Sequence, residues 1–293
     1  MKAARKFGAH DRMLARLLLA PAIAVLLALS LYPLFYLIRV SFEPGGGEGS
    51  WSLRNFSRLA TDGFFRSALL HTLIYAVAAL TLEFVIGLGL ALIADRPLRG
   101  RGVFRAIVLI PMMLPPVVVG VIWRLMLNPD FGAINGTLKA VGVNTQSMTW
   151  TASPLLAMLS VIAVDVWQWT PFMFLVLLAG LQAIPQEPYE AATIDGASAY
   201  QMFRDITLPM LKPAILIALL LRTMDLLRVF DQIYILTEGG PGFATETVSL
   251  YIYRSAFRFF DLGYAAAMSL VLLMMTNLIS AGYIRLLGRQ EAA

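Results

Sequence analysis

Apolar residues gather in six long runs separated by polar connections, at roughly Leu14–Ile38, Thr72–Ala94, Val103–Leu127, Leu155–Leu178, Pro213–Leu236 and Tyr264–Leu287. Crossing a bilayer as a helix takes about 20 residues, and each run is long enough. The pattern predicts an all-α polytopic membrane protein with six transmembrane helices. The fifth run is the least uniform, because Arg222, Asp225, Arg228 and Asp231 interrupt it at steps of three. Pro111, Pro115 and Pro116 fall in the third run and Pro171 in the fourth. Each removes a backbone donor and can kink a helix. Inside a bilayer such breaks persist only where protein or a water-filled cavity satisfies the freed carbonyls. The third and fourth helices are therefore candidates for lining a path.

Composition agrees with the membrane assignment. Of 293 residues, 59% are hydrophobic and 14% charged, with a mean hydropathy of +0.74. A soluble domain carries roughly a quarter charged residues. The chain has no cysteine, which excludes disulfides, thiolate-bound zinc and thiol catalysis. Its only histidines, His10 and His71, are too few and too far apart in sequence to suggest a metal site.

The net charge of +5 matters less than where the charges sit. Lys2, Arg5, Lys6, Arg12 and Arg16 precede or open the first run, and Arg96, Arg99, Arg101 and Arg105 mark the second connection. Arg204 and Lys212 lie in the fourth connection, and Arg285 and Arg289 at the C-terminal end. The opposite side carries fewer: Arg39, Arg54, Arg58, Arg66, Lys139, Arg254 and Arg258. This bias places both termini in the cytoplasm. The first run is too long for a signal-peptide core and is read as a retained helix. Residues 1–13 then form a cytoplasmic segment, and residues 14–293 a six-helix transmembrane domain with a polar cytoplasmic loop at 185–212. The outer connections at Glu43–Ser50, Asn128–Ser153 and Thr237–Thr247 are rich in turn formers.

Ionisable residues inside a membrane are costly and mark function or pairing. Asp165, Gln168, Trp169 and Phe172 fall on one face of the fourth helix. A carboxylate and an amide can grip vicinal hydroxyls, while aromatic rings cover the apolar face of a pyranose, so this face has the chemistry of a sugar site. The competing reading pairs Asp165 with an arginine of a neighbouring helix. The fifth-helix ladder has two readings of its own. Its acids and bases can neutralise one another, or Asp225 and Arg228 can face a central cavity. Glu83 is assigned a structural partner, and Arg124 snorkels toward the interface.

The stretch Glu190–Pro209, EAATIDGASAYQMFRDITLP, is the polar interruption between the fourth and fifth helices. Glu187, Pro188 and Glu190 suit the first turn of a helix, and Gly196 suits its stop. A second helix at about Ser198–Ile206 is expected to lead to Leu208-Pro209. The stretch carries no nucleophile–base pair and no phosphate cradle.

Glu190-Ala191-Ala192, Gly196, Ile206 and Leu208-Pro209 match the EAA motif of permease subunits of binding-protein-dependent ABC importers at every defining position. The segments Trp123–Gly132 and Leu236–Thr247, with Pro185, resemble the carbohydrate-uptake branch, in particular its maltose-type first permease subunit. The resemblance covers most of the chain from the second helix onward and implies the compact six-helix form. It implies that Glu190, Ala191, Ala192, Asp195, Gly196, Ile206, Leu208 and Pro209 form a coupling element seated in a groove of an ATP-binding subunit. It further implies a mid-membrane sugar site at Asp165, Gln168, Trp169, Phe172, Leu221, Met224, Asp225 and Arg228. Charges stand where the maltose pattern has amides, which allows another sugar, a polyol or a charged glycoside. The implied partners are a second homologous permease, two ATP-binding subunits and an extracytoplasmic sugar-binding protein, in the inner membrane of a bacterium or archaeon. Lipid surrounds the chain, and no nucleic-acid partner is expected. No cofactor is expected on this chain. ATP and Mg belong to the partner subunits, because the sequence lacks the G-x-x-x-x-G-K-[ST] loop. The alternative is a self-sufficient secondary transporter that relays ions along the fifth helix. The absence of an internal repeat argues against it. An intramembrane enzyme would need a pairing such as H-E-x-x-H, which the sequence lacks.

Overall fold

The structure is a computed structural model that describes residues 9–43, 51–96, 99–145 and 148–291. Lys2, Arg5, Lys6 and the turn at 44–50 lie outside the described residues. In chain order the helices are α1 (Ala9–Ser41), α2 (Arg54–Thr61), α3 (Gly63–Asp95), α4 (Arg101–Leu109), α5 (Pro116–Met126), α6 (Ala133–Ala140) and α7 (Pro154–Gln182). They continue with α8 (Glu187–Ile194), α9 (Ala199–Met202), α10 (Leu208–Leu226), α11 (Asp231–Leu236), α12 (Val248–Tyr253) and α13 (Leu262–Glu291). Among the described residues no strand forms. Five continuous helical stretches are long and apolar enough to cross a membrane: Leu17–Ser41, Gly63–Asp95, Pro154–Gln182, Ala199–Leu226 and Leu262–Gly288. A shorter apolar helix, Pro116–Met126, joins them.

Two of the six expected helices differ from their sequence outlines. The third, expected whole over Val103–Leu127, is two helices, α4 and α5, separated by a 3₁₀ turn at Pro111–Met113. Pro111, Pro115 and Pro116 withhold three amide donors within six residues, and the α-helical ladder cannot close across them. The fifth, expected over Pro213–Leu236, ends at Leu226, and the chain re-enters helix only at Asp231. There Arg228 Nε donates to the Met224 carbonyl at 3.0 Å. A cation thus satisfies one of the last carbonyls, as helix C-termini favour. The i, i+3 ladder therefore does not continue as one helix through Arg228 and Asp231.

The chain forms two compact units. The first comprises Met1–Thr61 and Ser255–Val271. Within it Asn55 Nδ2 donates to the carbonyls of Ser41 (3.0 Å) and Glu43 (3.2 Å), tying α2 to the end of α1. Arg58 meets Asp261 at 2.6 Å and lies 4.0 Å over the Tyr264 ring, tying α2 to the start of α13.

The second unit comprises Asp62–Arg254 and Leu272–Ala293. Asp62 caps α3 by accepting from Phe64 N (2.8 Å) and Phe65 N (3.3 Å). α3 runs along α7, α10 packs on both, and α5 packs on α11. One buried cluster gathers Tyr75, Val161, Leu226 and Ile233, and another Ala91, Phe174, Leu177 and Leu211. Lipid is as apolar as leucine, so helices in a membrane associate by close packing, which small residues permit. Gly87 of α3 does this against α7, where an added Cβ would fall 2.8 Å from Met173 Cβ. Gly180 of α7 does the same against α10, where a Cβ would lie 2.6 Å from Ala214 Cβ.

Candidate functional site

Three buried charges join three helices at the centre of the second unit. Arg222 of α10 donates through Nε and Nη2 to both carboxylate oxygens of Glu83 on α3, each at 2.7 Å. Its Nη2 also reaches Asp165 Oδ2 on α7 at 2.8 Å. The side chains of Glu83, Asp165 and Arg222 are 0%, 3% and 2% exposed. A bidentate guanidinium–carboxylate pair is among the stronger hydrogen-bonded contacts available. The guanidinium also sits 4.9 Å over the Trp169 ring. Glu83 thus has its structural partner, and Asp165 pairs with the arginine of a neighbouring helix.

This cluster closes one side of a cavity of about 350 Å³. Asp165, Trp169 and Arg222 meet Asp225, Arg228 and the α11 entrance Val229–Gln232 around it. Asp225 is half exposed and lies 3.9 Å from Arg222 Nη1 and 3.7 Å from Arg228 Nη2. Of the eight residues expected at a sugar site, Asp165, Trp169, Asp225 and Arg228 line this cavity. Gln168, Phe172, Leu221 and Met224 do not. The end of the α10 helix exposes Asp225 and Arg228 there, because the chain unwinds between Leu226 and Asp231.

Gln168 has other work. It is fully buried and donates through Nε2 to the Leu114 carbonyl at 2.9 Å. That carbonyl lies in the gap between the 3₁₀ turn and α5, where the prolines have interrupted the ladder. Gln232 of α11 in turn donates to Gln168 Oε1. The amide chain Gln232–Gln168–Leu114 therefore supplies the protein partner that a broken membrane helix requires. Arg124 reinforces the junction by donating to the Ile235 carbonyl at 3.1 Å.

At the other end of α7 and α10 stands the Glu190–Pro209 knuckle. None of the residues of α8 is buried, and Ile194 is 87% exposed. Gly196 ends α8 at φ +75°. Ala197 N donates to the Ala192 carbonyl (2.9 Å) and Gly196 N to the Thr193 carbonyl (3.1 Å). These two bonds form a Schellman motif, which needs the left-handed residue that glycine supplies. Ser198 then opens α9 with a capping box: its Oγ accepts from Gln201 N, and Gln201 Oε1 accepts from Ser198 N at 2.7 Å. The spacing S-x-x-Q of Ser198 and Gln201 carries this signal in the sequence.

The second helix does not stop at Ile206 as expected. It continues through a π-turn at Phe203–Thr207 into α10, past Leu208-Pro209. A proline inside a helix clashes with the carbonyl four residues earlier. The widened π-turn before Pro209 accommodates that ring, and Thr207 Oγ1 pairs with Tyr189 Oη at 2.8 Å, bracing the turn against α8. The residues expected to form a coupling element, Glu190, Ala191, Ala192, Asp195, Gly196, Ile206, Leu208 and Pro209, thus lie on one helix–turn–helix unit continuous with α10.

Comparison with known proteins places this arrangement among transporters. Residues 83–290 match the family described as "Binding-protein-dependent transport system inner membrane component". The chain is 47% identical over 211 residues to the trehalose/maltose transport system permease protein MalF of Thermococcus litoralis, covering 72% of this chain and 70% of that one. It is 35% identical over 287 residues to the trehalose transport system permease protein SugA of Mycobacterium tuberculosis, covering 95% and 90%. A chain of a bacterial ABC transporter involved in import of the acidic polysaccharide alginate superposes with a TM-score of 0.83 at 25% identity, over 96% of each chain.

Proposed function

The chain belongs to the binding-protein-dependent transport system inner membrane component family, and from that membership and its charged cavity we propose how it carries a sugar. It is a transmembrane permease subunit of an ABC importer for a carbohydrate. Its half of the translocation path is the cavity walled by Asp165, Trp169, Asp225 and Arg228. Carboxylates and guanidinium there bind hydroxyls in charge-assisted pairs, and the Trp169 ring covers an apolar sugar face. A second, homologous permease supplies the other wall, and an extracytoplasmic binding protein delivers the sugar. Both termini and the knuckle face the cytoplasm, following the arginine and lysine bias.

Two ATP-binding subunits hold ATP and Mg and hydrolyse the nucleotide, since this sequence lacks a phosphate-binding loop. One observation carries the coupling mechanism: the exposed Glu190–Pro209 unit joins directly to α7 and α10, whose other portions wall the cavity. At 1.5 Å per residue, Asp165 lies roughly 25 Å along α7 from Gln182. Rigid helices of that length transmit a tilt at the knuckle into a displacement at the cavity, which is the motion alternating access requires.

The test is uptake of labelled trehalose and maltose into proteoliposomes holding this chain with its partner permease, ATP-binding subunits and binding protein. Uptake should require ATP inside a complete complex. Uptake driven by an ion gradient through this chain alone, without nucleotide, would overturn the proposal.

A further inference from the structure

Charge balance around the cavity speaks to substrate class, on the premise that the cavity is the sugar site. We propose that this half of the path favours neutral or cationic sugars over acidic ones, and that Asp231 sets the preference.

Three carboxylates, Asp165, Asp225 and Asp231, line the cavity against two guanidiniums, Arg222 and Arg228. The wall therefore carries one negative charge in excess. Both arginines already face acceptors of the protein, Arg222 through three hydrogen bonds and Arg228 through Nε and a 3.7 Å approach to Asp225. Arg222 spends Nε and Nη2 on Glu83 and Asp165, and it is buried. Arg228 gives Nε to the Met224 carbonyl and turns Nη2 toward Asp225. Asp231 lines the same space, is exposed, and among the described residues takes part in no ion pair. It opens α11, and the next residue, Gln232, is bonded through its amide to Gln168.

An unpaired carboxylate accepts hydrogen bonds from hydroxyl or ammonium groups and repels a uronate. A single unfavourable charge contact at partial burial is worth roughly tenfold or more in affinity. The superposing alginate transporter chain handles an acidic polysaccharide on the same backbone, so the backbone alone does not dictate this preference.

The test measures equilibrium binding to the assembled importer in nanodiscs, with the binding protein omitted because it applies its own selection. The probes are maltose and its counterpart with one terminal glucose oxidised to the uronic acid. Maltose should bind at least tenfold more tightly than the uronate. Asp231→Asn should raise the uronate-to-maltose affinity ratio at least threefold, whereas Asp130→Asn, outside the cavity, should leave the ratio unchanged. Equal or tighter uronate binding, or a ratio unmoved by Asp231→Asn, overturns the proposal. Val229→Trp separates the premise from the inference by filling the cavity. Maltose binding that survives it places the sugar elsewhere and sinks the cavity reading together with the preference.

Discussion

Removing the guanidinium of Arg222 should be the most damaging single change in the second unit. Arg222→Met leaves Glu83 and Asp165 as two buried carboxylates with their shared counter-ion gone. Three hydrogen bonds of 2.7, 2.7 and 2.8 Å disappear with it. Bonds to charged groups contribute about 1.5–3 kcal/mol each, but these share one guanidinium and are not additive. Breaking a buried ion pair from one side costs about 3–5 kcal/mol, and we expect a loss in that range. Glu83→Gln should cost less, on the order of 1–2 kcal/mol, because a neutral Arg222–Asp165 pair survives and the excess negative charge goes. The combined Glu83→Met, Asp165→Leu, Arg222→Met chain should recover to within about 2 kcal/mol of the starting stability, since apolar replacement of a whole buried cluster is often neutral. Unfolding by SDS titration in mixed micelles, followed by far-UV circular dichroism, measures all three. Tryptophan fluorescence gives a second probe, because Trp169 lies against the guanidinium. A loss below about 1 kcal/mol for Arg222→Met, or a triple variant no more stable than the single one, would refute the reasoning.

Other changes isolate other links. Gly180→Leu forces a side chain into a space where even a Cβ would lie 2.6 Å from Ala214 Cβ, and overpacking should cost about 1–3 kcal/mol in the same titration. Gln168→Leu strips the Leu114 carbonyl of its donor and should cost about 1–3 kcal/mol. It should also speed hydrogen exchange of the amides around Pro111–Met113, which a purely local packing defect on α7 would not do. Gly196→Val places a β-branched residue at φ +75°, a strain of about 1–2 kcal/mol. Limited proteolysis should then cut within Glu190–Pro209 sooner, with the membrane helices still intact.

What was legible in the sequence follows the range over which each interaction acts. Apolar runs report the membrane directly, because lipid forbids charge over a whole helix length. Gly196 announced its turn, since its role depends on its own backbone and the four residues before it. The prolines announced a break, but not that Gln168, 54 residues away, would supply the missing donor. Arg222 looked like one rung of a ladder on its own helix. Its actual partners lie 57 and 139 residues away, a distance no periodicity reports. The spacing of Arg222, Asp225, Arg228 and Asp231 suggested continuous helix, but side-chain capping of the Met224 carbonyl ended it early. Helical spacing grouped Asp165, Gln168, Trp169 and Phe172 on one side of α7. It could not say that only Asp165 and Trp169 would reach the cavity, because that depends on where α11 folds back.

Sugar-stimulated ATP hydrolysis by the reconstituted importer reads the proposed coupling through the exposed knuckle most directly. Glu190→Lys reverses a charge in the first turn of α8, a helix with no buried residue. The variant should insert and assemble with its partner permease, while sugar and binding protein no longer stimulate hydrolysis and uptake stops. Normal stimulation with normal uptake would contradict it.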